Sequence, residues 1–258
     1  MKSKTYIILL LSIVLAWSCS NDDDAKNSST PEEPIGTYLP IRIDVFYGSG
    51  NQRTCTITYN NENLISNLAF QFNNADDKSY GMTYNNGDLS QVTMNGTHEY
   101  TFLYTDNSLS SVELVNSGNS SSFPVTYDSG NNVYTINSNS TYYFDSTNNL
   151  TRIVSGDIER LLNFNSSDTP GGIFDPSFVS LPFILISGSV TLETIYFLSS
   201  RQISDVSVTY DGGFQNSSFY DYQLDDDGKI VGFKIDNDWG TAMRTDEVTI
   251  SYRLLETN

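Results

Sequence analysis

Near its C-terminus the chain reads Asp236-Asn237-Asp238-Trp239-Gly240, a tryptophan set among carboxylate and amide side chains. A flat indole beside hydrogen-bond acceptors is what a sugar-stacking surface needs, so Trp239 with Asp236 and Asp238 forms the candidate ligand-binding group. The same acids, and the run Asp225-Asp226-Asp227-Gly228, are hard oxygen ligands on loop sequences. Neither run has the twelve-residue loop with a terminal Glu that an EF-hand requires, and Asp-rich β-turns account for both. No metal site is expected, because one histidine, His98, and two cysteines are too few for zinc. A nucleophilic triad would have to use His98, in Asn95-Gly96-Thr97-His98-Glu99-Tyr100, without any Gly-x-Ser-x-Gly turn. An exposed strand histidine is the better reading. Paired carboxylates for glycoside cleavage stay open as the enzymatic alternative, since acids are plentiful and only the fold sets their separation. No catalytic residue and no cofactor is assigned.

A second chemistry lies at the other end of the chain. Lys2 and Lys4 precede an apolar run from Tyr6 to Trp17, shorter than the roughly 20 residues a spanning helix needs. Residues 1–18 therefore read as a signal peptide. Ala16-Trp17-Ser18-Cys19 resembles the lipobox of lipoproteins, which implies a lipid on Cys19. Two or three acyl chains hold a protein on a membrane where one does not. Asn21, Asp22, Asp23 and Asp24 resemble the acidic surface-export signal of Bacteroidetes lipoproteins, which implies the outer face of the outer membrane. Residues 19–36 are rich in Ser, Asn, Pro and acids, without apolar periodicity, and read as a flexible tether. With Cys19 lipidated, Cys55 is left alone and no intramolecular disulfide is expected.

Composition narrows the partners. Lys and Arg number 13 against 31 Asp and Glu, a formal charge of −18, and loss of the leader takes this to roughly −20. Such a surface repels nucleic acid and anionic membrane. It suits cations, a neutral glycan, or an envelope protein with a basic face.

The elements that would position these groups are strands. From Ile41 onward apolar and polar residues alternate, and the apolar ones are β-branched or aromatic. Six stretches share one pattern, an aromatic or large apolar residue, four or five turn formers, an aliphatic residue and a further apolar one: Tyr59/Leu64/Leu68, Tyr84/Leu89/Val92, Tyr104/Leu109/Val112, Tyr127/Val133/Ile136, Phe144/Leu150/Ile153 and Leu224/Ile230/Phe233. Each reads as a hairpin. Their spacing implies an antiparallel up-and-down meander, a curled sheet or barrel-like, in one domain over residues 37–258. The last two residues of each pattern are mostly three apart, which in a regular strand would aim them at opposite faces. Either both faces are partly covered or a bulge restores the register; the first option implies a filled inside and an outside dotted with Tyr. The pattern breaks near residues 175–198, where Asp175-Pro176 starts a short apolar helical insert that Pro182 keeps from running long and straight. Its expected role is to cover one mouth or face of the sheet.

These Tyr/Phe-turn-Leu repeats, the insert and the closing VTYDGG and YQLDDDGKIVGF stretches resemble a group of Bacteroidetes surface lipoproteins of unknown function, with YD-like hairpin repeats and a porin-like β fold. The resemblance covers about Ile41 to Leu254 and implies a fold but no catalytic residues. Asp145-Ser146-Thr147 also resembles the short O-glycosylation motif of these bacteria, which makes Ser146 a candidate acceptor. The expected function is a non-catalytic binding or interaction module at the cell surface, with a glycan or protein ligand. The alternatives are a surface glycan hydrolase and a structural component of an envelope complex.

Overall fold

Alternation along the strands decides the fold. In β2 (Gln52–Tyr59) Cys55 and Ile57 are buried while Thr56 and Thr58 between them are exposed. A strand with one apolar face must lay it on something, and here the sheet closes on itself. The computed structural model describes residues 38–106, 108–166, 171–174, 181–187, 199–238, 240 and 242–255. It is an all-β, antiparallel closed barrel with one short helix among the described residues.

The meander runs β1 (Tyr38–Tyr47), β2, β3 (Ile65–Phe72), β4 (Lys78–Asn85), β5 (Asp88–Met94) and β6 (His98–Thr105). It continues through β7 (Ser108–Asn116), β8 (Asn119–Asp128), β9 (Val133–Ile136), β10 (Ser140–Phe144), β11 (Leu150–Ser155) and β12 (Ile158–Phe164). After the helix α1 (Leu181–Ser187) come β13 (Ile203–Tyr210), β14 (Gly213–Leu224), β15 (Ile230–Asp238) and β16 (Met243–Leu254). Each strand pairs with the next, and β16 returns to β1 from Tyr38↔Leu254 to Tyr47↔Asp246. The first strand thus begins and the last strand ends at the same mouth, called here the terminal end. The opposite mouth is the distal end.

All six sequence repeats fall on terminal-end hairpins, and bulges settle their three-residue spacing. The pairing slips between Thr83 and Tyr84 opposite Leu89 and Gln91, and both Leu89 and Val92 are buried, at 1% and 0% exposure. The same slip sits at Leu103/Tyr104, Tyr143/Phe144 and Gln223/Leu224. Three of the turns are built alike. Asn60, Asp145 and Asp225 each accept the backbone N–H groups two and four residues on, at 2.8 to 3.1 Å. Asn63, Asn148 and Gly228 then take positive φ to turn the chain back.

The expectation that the outside is dotted with Tyr is corrected. Tyr59, Tyr84, Tyr100, Tyr104, Tyr222 and Tyr252 pack against the interior core. Tyr59, Tyr84 and Tyr104 keep the inward parity of Ile57, Met82 and Phe102, and the extra residue of each bulge, Ser66, Ser90 or Ser110, lies on the following strand.

The helical insert expected near 175–198 is described at Leu181–Ser187, with Pro182 in the first turn, where a missing N–H costs nothing. Its remainder lies outside the described residues. Phe183, Ile184 and Leu185 are buried in the same core as the strands. Phe183 stands edge-on to Tyr80 of β4, with centroids 6.1 Å apart, and the carbonyl of Leu185 accepts from the Tyr142 hydroxyl of β10 at 2.8 Å. The helix therefore links two well-separated parts of the wall and fills the space between them.

Candidate functional site

The candidate residues divide between the two mouths. Cys19 and the run Asn21 to Asp24 lie outside the described residues, as does Trp239. β15 ends at Asp238 and β16 begins at Met243, both at the distal end. Asp236 and Asp238 were expected on a loop, but both belong to β15, and Asn237 between them is buried in the interior. Asp236 faces outward and accepts from the Tyr220 hydroxyl at 3.0 Å and from Thr245 at 2.6 Å. Asp238 accepts from the N–H of Gly240 at 2.8 Å, closing an Asx turn. Both carboxylates hold the end of the β15–β16 hairpin, and exposed Met243 (74%) and Phe214 (58%) stand on the outer face of the strands flanking β15.

Ser146 is exposed in the terminal-end turn between β10 and β11, and Asp145 is spent on that turn. Burial raises the Asp145 pKa, but hydrogen bonds from Asn149 and Thr147 outweigh it and hold the carboxyl below its ordinary value. Asp225 likewise accepts from Asp227 and Lys229, whose ammonium also pairs with Asp227 at 2.6 Å. Asp145 and Asp225 are thus both engaged as turns. Among the described residues no group of three or more His, Cys, Asp or Glu is placed to hold a metal. His98 departs from its expected exposure. It starts β6 half-buried, paired with Met94, whose side chain packs on the core, so it faces the lumen.

Reading the sequence for surface chemistry missed the lumen. Ser217 donates to Asn237 at 2.6 Å, Asn237 donates to Asp246 at 2.7 Å, and Asp246 takes the Arg244 guanidinium with two contacts of 2.7 and 2.8 Å. Ser217, Asn237 and Asp246 are each at most 4% exposed. The Arg244 guanidinium lies 4.7 Å from the Tyr47 ring centre, and that of Arg53 lies 4.2 Å from the Phe72 centre. A signal for these residues was present: Arg53 alternates in step with Cys55 and Ile57, and Arg160 with Leu162. A cation on the apolar parity of a strand points indoors.

The outer face carries the opposite character. Thr54, Thr56 and Thr58 of β2, Ser120, Ser122 and Thr126 of β8, and Thr245, Glu247, Thr249 and Ser251 of β16 all face out. Membrane-spanning barrels carry an apolar band there and a polar lumen. Barrels with this many strands in porins enclose an aqueous channel. Here leucines, isoleucines, aromatics and α1 fill the interior as one core, and Phe183 of α1 reaches Tyr80 near the distal start of β4.

No protein-family model and no curated protein matches the sequence. Among solved structures, a porin-like protein from Bacteroides uniformis ATCC 8492 aligns over 83% of this chain and 98% of its own length, at 12% identity and a TM-score of 0.52. A porin-like protein from Bacteroides vulgatus ATCC 8482 aligns over 84% of this chain and 100% of its own, at 11% identity and a TM-score of 0.40. The first likeness agrees with the porin-like β fold that the repeats implied, and at this identity it speaks for the fold alone.

Proposed function

We propose that this protein is a non-catalytic binding module on the outer face of the outer membrane, tethered by a lipid on Cys19 and standing in water beside the bilayer. The observation that carries this reading is the sidedness of the barrel. Its outer face is mainly threonine, serine and charge, broken by scattered apolar residues such as Phe46, Leu103, Leu161, Phe214 and Met243 that form no continuous band, and its inside is an apolar core with a helix in it, so neither surface suits a pore. The lipid supplies the membrane attachment that the barrel wall does not. Asn21 to Asp24 act as the export signal, and Ser146 is an exposed acceptor for O-glycosylation.

The β1 strand begins at the terminal end, so the tether joins there and the distal hairpins lie at the opposite mouth. Trp239, with Asp236 and Asp238 holding its hairpin and Met243 and Phe214 on the strands nearby, is the contact surface for a glycan or an envelope protein.

Two experiments test the reading. Cys19→Ser releases the protein from the membrane fraction into solution if the lipid is the anchor; a variant that stays membrane-bound without detergent overturns the tether. A glycan panel run with the wild type and Trp239→Ala assigns the ligand. Binding lost in the variant places a glycan site on that loop, whereas turnover of a polysaccharide that vanishes on a single Asp or Glu substitution would make the protein a hydrolase.

A further inference from the structure

The distal rim of the barrel has a step in it between β8 and β9. At this end the last β8–β9 pair is Val125↔Ile136, and residues 119–124 of β8 lie beyond it. Among the described residues the next largest overhangs at this end are 213–215 of β14 and 243–245 of β16. On its other side β8 is paired with β7 throughout, from Ser111↔Pro124 to Asn116↔Asn119. Residues 119–124 are therefore an open strand edge.

The ladder fixes which groups that edge presents. Ser117 and Gly118 take positive φ in a two-residue turn, which makes Asn116 and Asn119 a pair that exchanges both backbone bonds. Bonding alternates along an antiparallel strand, so Asn119, Ser121 and Phe123 face β7 while Ser120, Ser122 and Pro124 face the open side. The carbonyl of Pro124 agrees with this, since it accepts from the N–H of Asn137, just past β9, at 2.8 Å. Proline at 124 costs the ladder nothing, because the N–H it lacks would have pointed outward. The backbone N–H and C=O groups of Ser120 and Ser122 have no bonding partner among the described residues, and both serines are exposed.

Exposed edges are usually blunted by lysine, by other charge or by a covering loop. Here the side chains are Asn119, three serines, Phe123 and Pro124, and the turn at 137–139 beside them is itself exposed. Over residues 108–127 the one charged side chain is Glu113. It stands opposite Ser122, exposed on the outer face of β7, so a long cation on a strand added beside β8 reaches it over the short serine. On the inner face Phe123 is half-buried and leaves apolar surface to cover.

We propose that residues 119–124 of β8 are a docking edge for an extended basic segment of a partner protein, which joins the sheet as an antiparallel strand in line with β9. Its main chain bonds Ser120 and Ser122, its apolar side chains cover Phe123, and its lysines or arginines face outward toward Glu113. Charge complementarity favours this occupant over a second copy, because two copies would each bring a formal charge of −18 and a Glu113 to the same edge. The edge lies half the barrel away from the β15–β16 hairpin, so it and the glycan reading of that hairpin fail independently.

The test uses the mature lipoprotein in detergent and a capped heptapeptide that alternates lysine and valine, read by calorimetric titration and by hydrogen exchange. The peptide binds below about 1 mM, and the N–H groups of Ser120 and Ser122 become protected in its presence. A counterpart with glutamate for lysine, and one N-methylated at its lysines, each bind about tenfold more weakly or not at all. Ser122→Pro removes an outward N–H without touching the β7 ladder and weakens binding about fivefold or more, while Ser122→Ala changes it less than about twofold. Circular dichroism confirms which variants keep the barrel, and Ser120→Pro with the N-methylated peptide carries the test if Ser122→Pro unfolds. No binding at about 1 mM, equal binding of the N-methylated peptide, or folded Ser122→Pro with unchanged affinity each overturns the edge. A dimer in light scattering that Ser122→Pro dissolves assigns the edge to a second copy and overturns the basic partner.

Discussion

The hydroxyl of Tyr84, at the end of β4, donates to the carbonyl of Ile65, at the start of β3, at 2.7 Å. The same relation joins Tyr59 to Pro40, Tyr104 to Leu89, Tyr222 to Ile203 and Tyr252 to Ile230, at 2.6 to 2.9 Å. Each pair ties the end of one strand to the bulged start of the strand before it, so the tyrosines form a belt around the terminal end. Phenylalanine at positions 144 and 164 interrupts the belt, as does Tyr127, whose hydroxyl donates to Asn132 of its own turn at 3.1 Å. Tyr84→Phe keeps the packing and strands the Ile65 carbonyl, which should cost about 1–3 kcal/mol. Urea denaturation measures it, and an unchanged midpoint would show that the belt is incidental.

The belt also predicts alkaline behaviour. Burial pushes the phenols of Tyr84 and Tyr142 up to about 12, and burial raises Tyr59, Tyr104, Tyr222 and Tyr252 in the same direction. A raised phenol stays protonated in the folded state while the unfolded chain ionises near pH 10, so stability is intact below about pH 10 and falls as pH rises toward about 12. Phenolate absorbance followed with circular dichroism should show the buried tyrosines ionising together with loss of structure. Full ionisation of every tyrosine by pH 11 with the barrel intact would contradict the assignment.

The buried network at the distal end supplies a sign test. Asp246→Ala leaves the Arg244 charge in a recess without its carboxylate and should destabilise by about 3–5 kcal/mol. Replacing both partners, Arg244→Met with Asp246→Leu, should recover most of that loss. A double variant as unstable as the single one would mean that Asp246 acts through Gly48 and Asn237 alone, whose N–H groups it also accepts at 3.3 and 2.7 Å.

Removing the Phe183 ring opens a space between α1 and the β4 wall, and Phe183→Ala should cost about 3–5 kcal/mol. Calorimetry reads this as a lower Tm. A change below about 0.5 kcal/mol, the range of ordinary surface substitutions, would show that the helix does not fill the lumen.

Much of the barrel was legible because turn chemistry is local. Asn60, Asp145 and Asp225 announce their hairpins, and the three-residue step from Leu89 to Val92 raises the bulge as one of two options. What stayed hidden depends on register. A bulge resets parity, so counting back from Val92 or Val112 could not say that Leu89 and Leu109 also face in. The lumen chemistry of Arg53 and Arg160 needs closure as well, because a cation on the apolar parity has no meaning until the sheet has an inside. Asp236 looked like a loop ligand because Asp and Asn favour turns, whereas its cross-strand bonds to Tyr220 and Thr245 keep it in β15.

The central claim is that the barrel stands in water outside the bilayer, and cysteine labelling on intact cells tests it most directly. Thr56, Thr126 and Thr249 are exposed on the outer faces of β2, β8 and β16, whereas the native Cys55 is buried at 3% exposure. Thr56→Cys, Thr126→Cys and Thr249→Cys should all react with a membrane-impermeant maleimide on whole cells without detergent, while the wild type does not. Protection of these positions until detergent is added would mean that lipid covers the barrel wall, and would contradict the account.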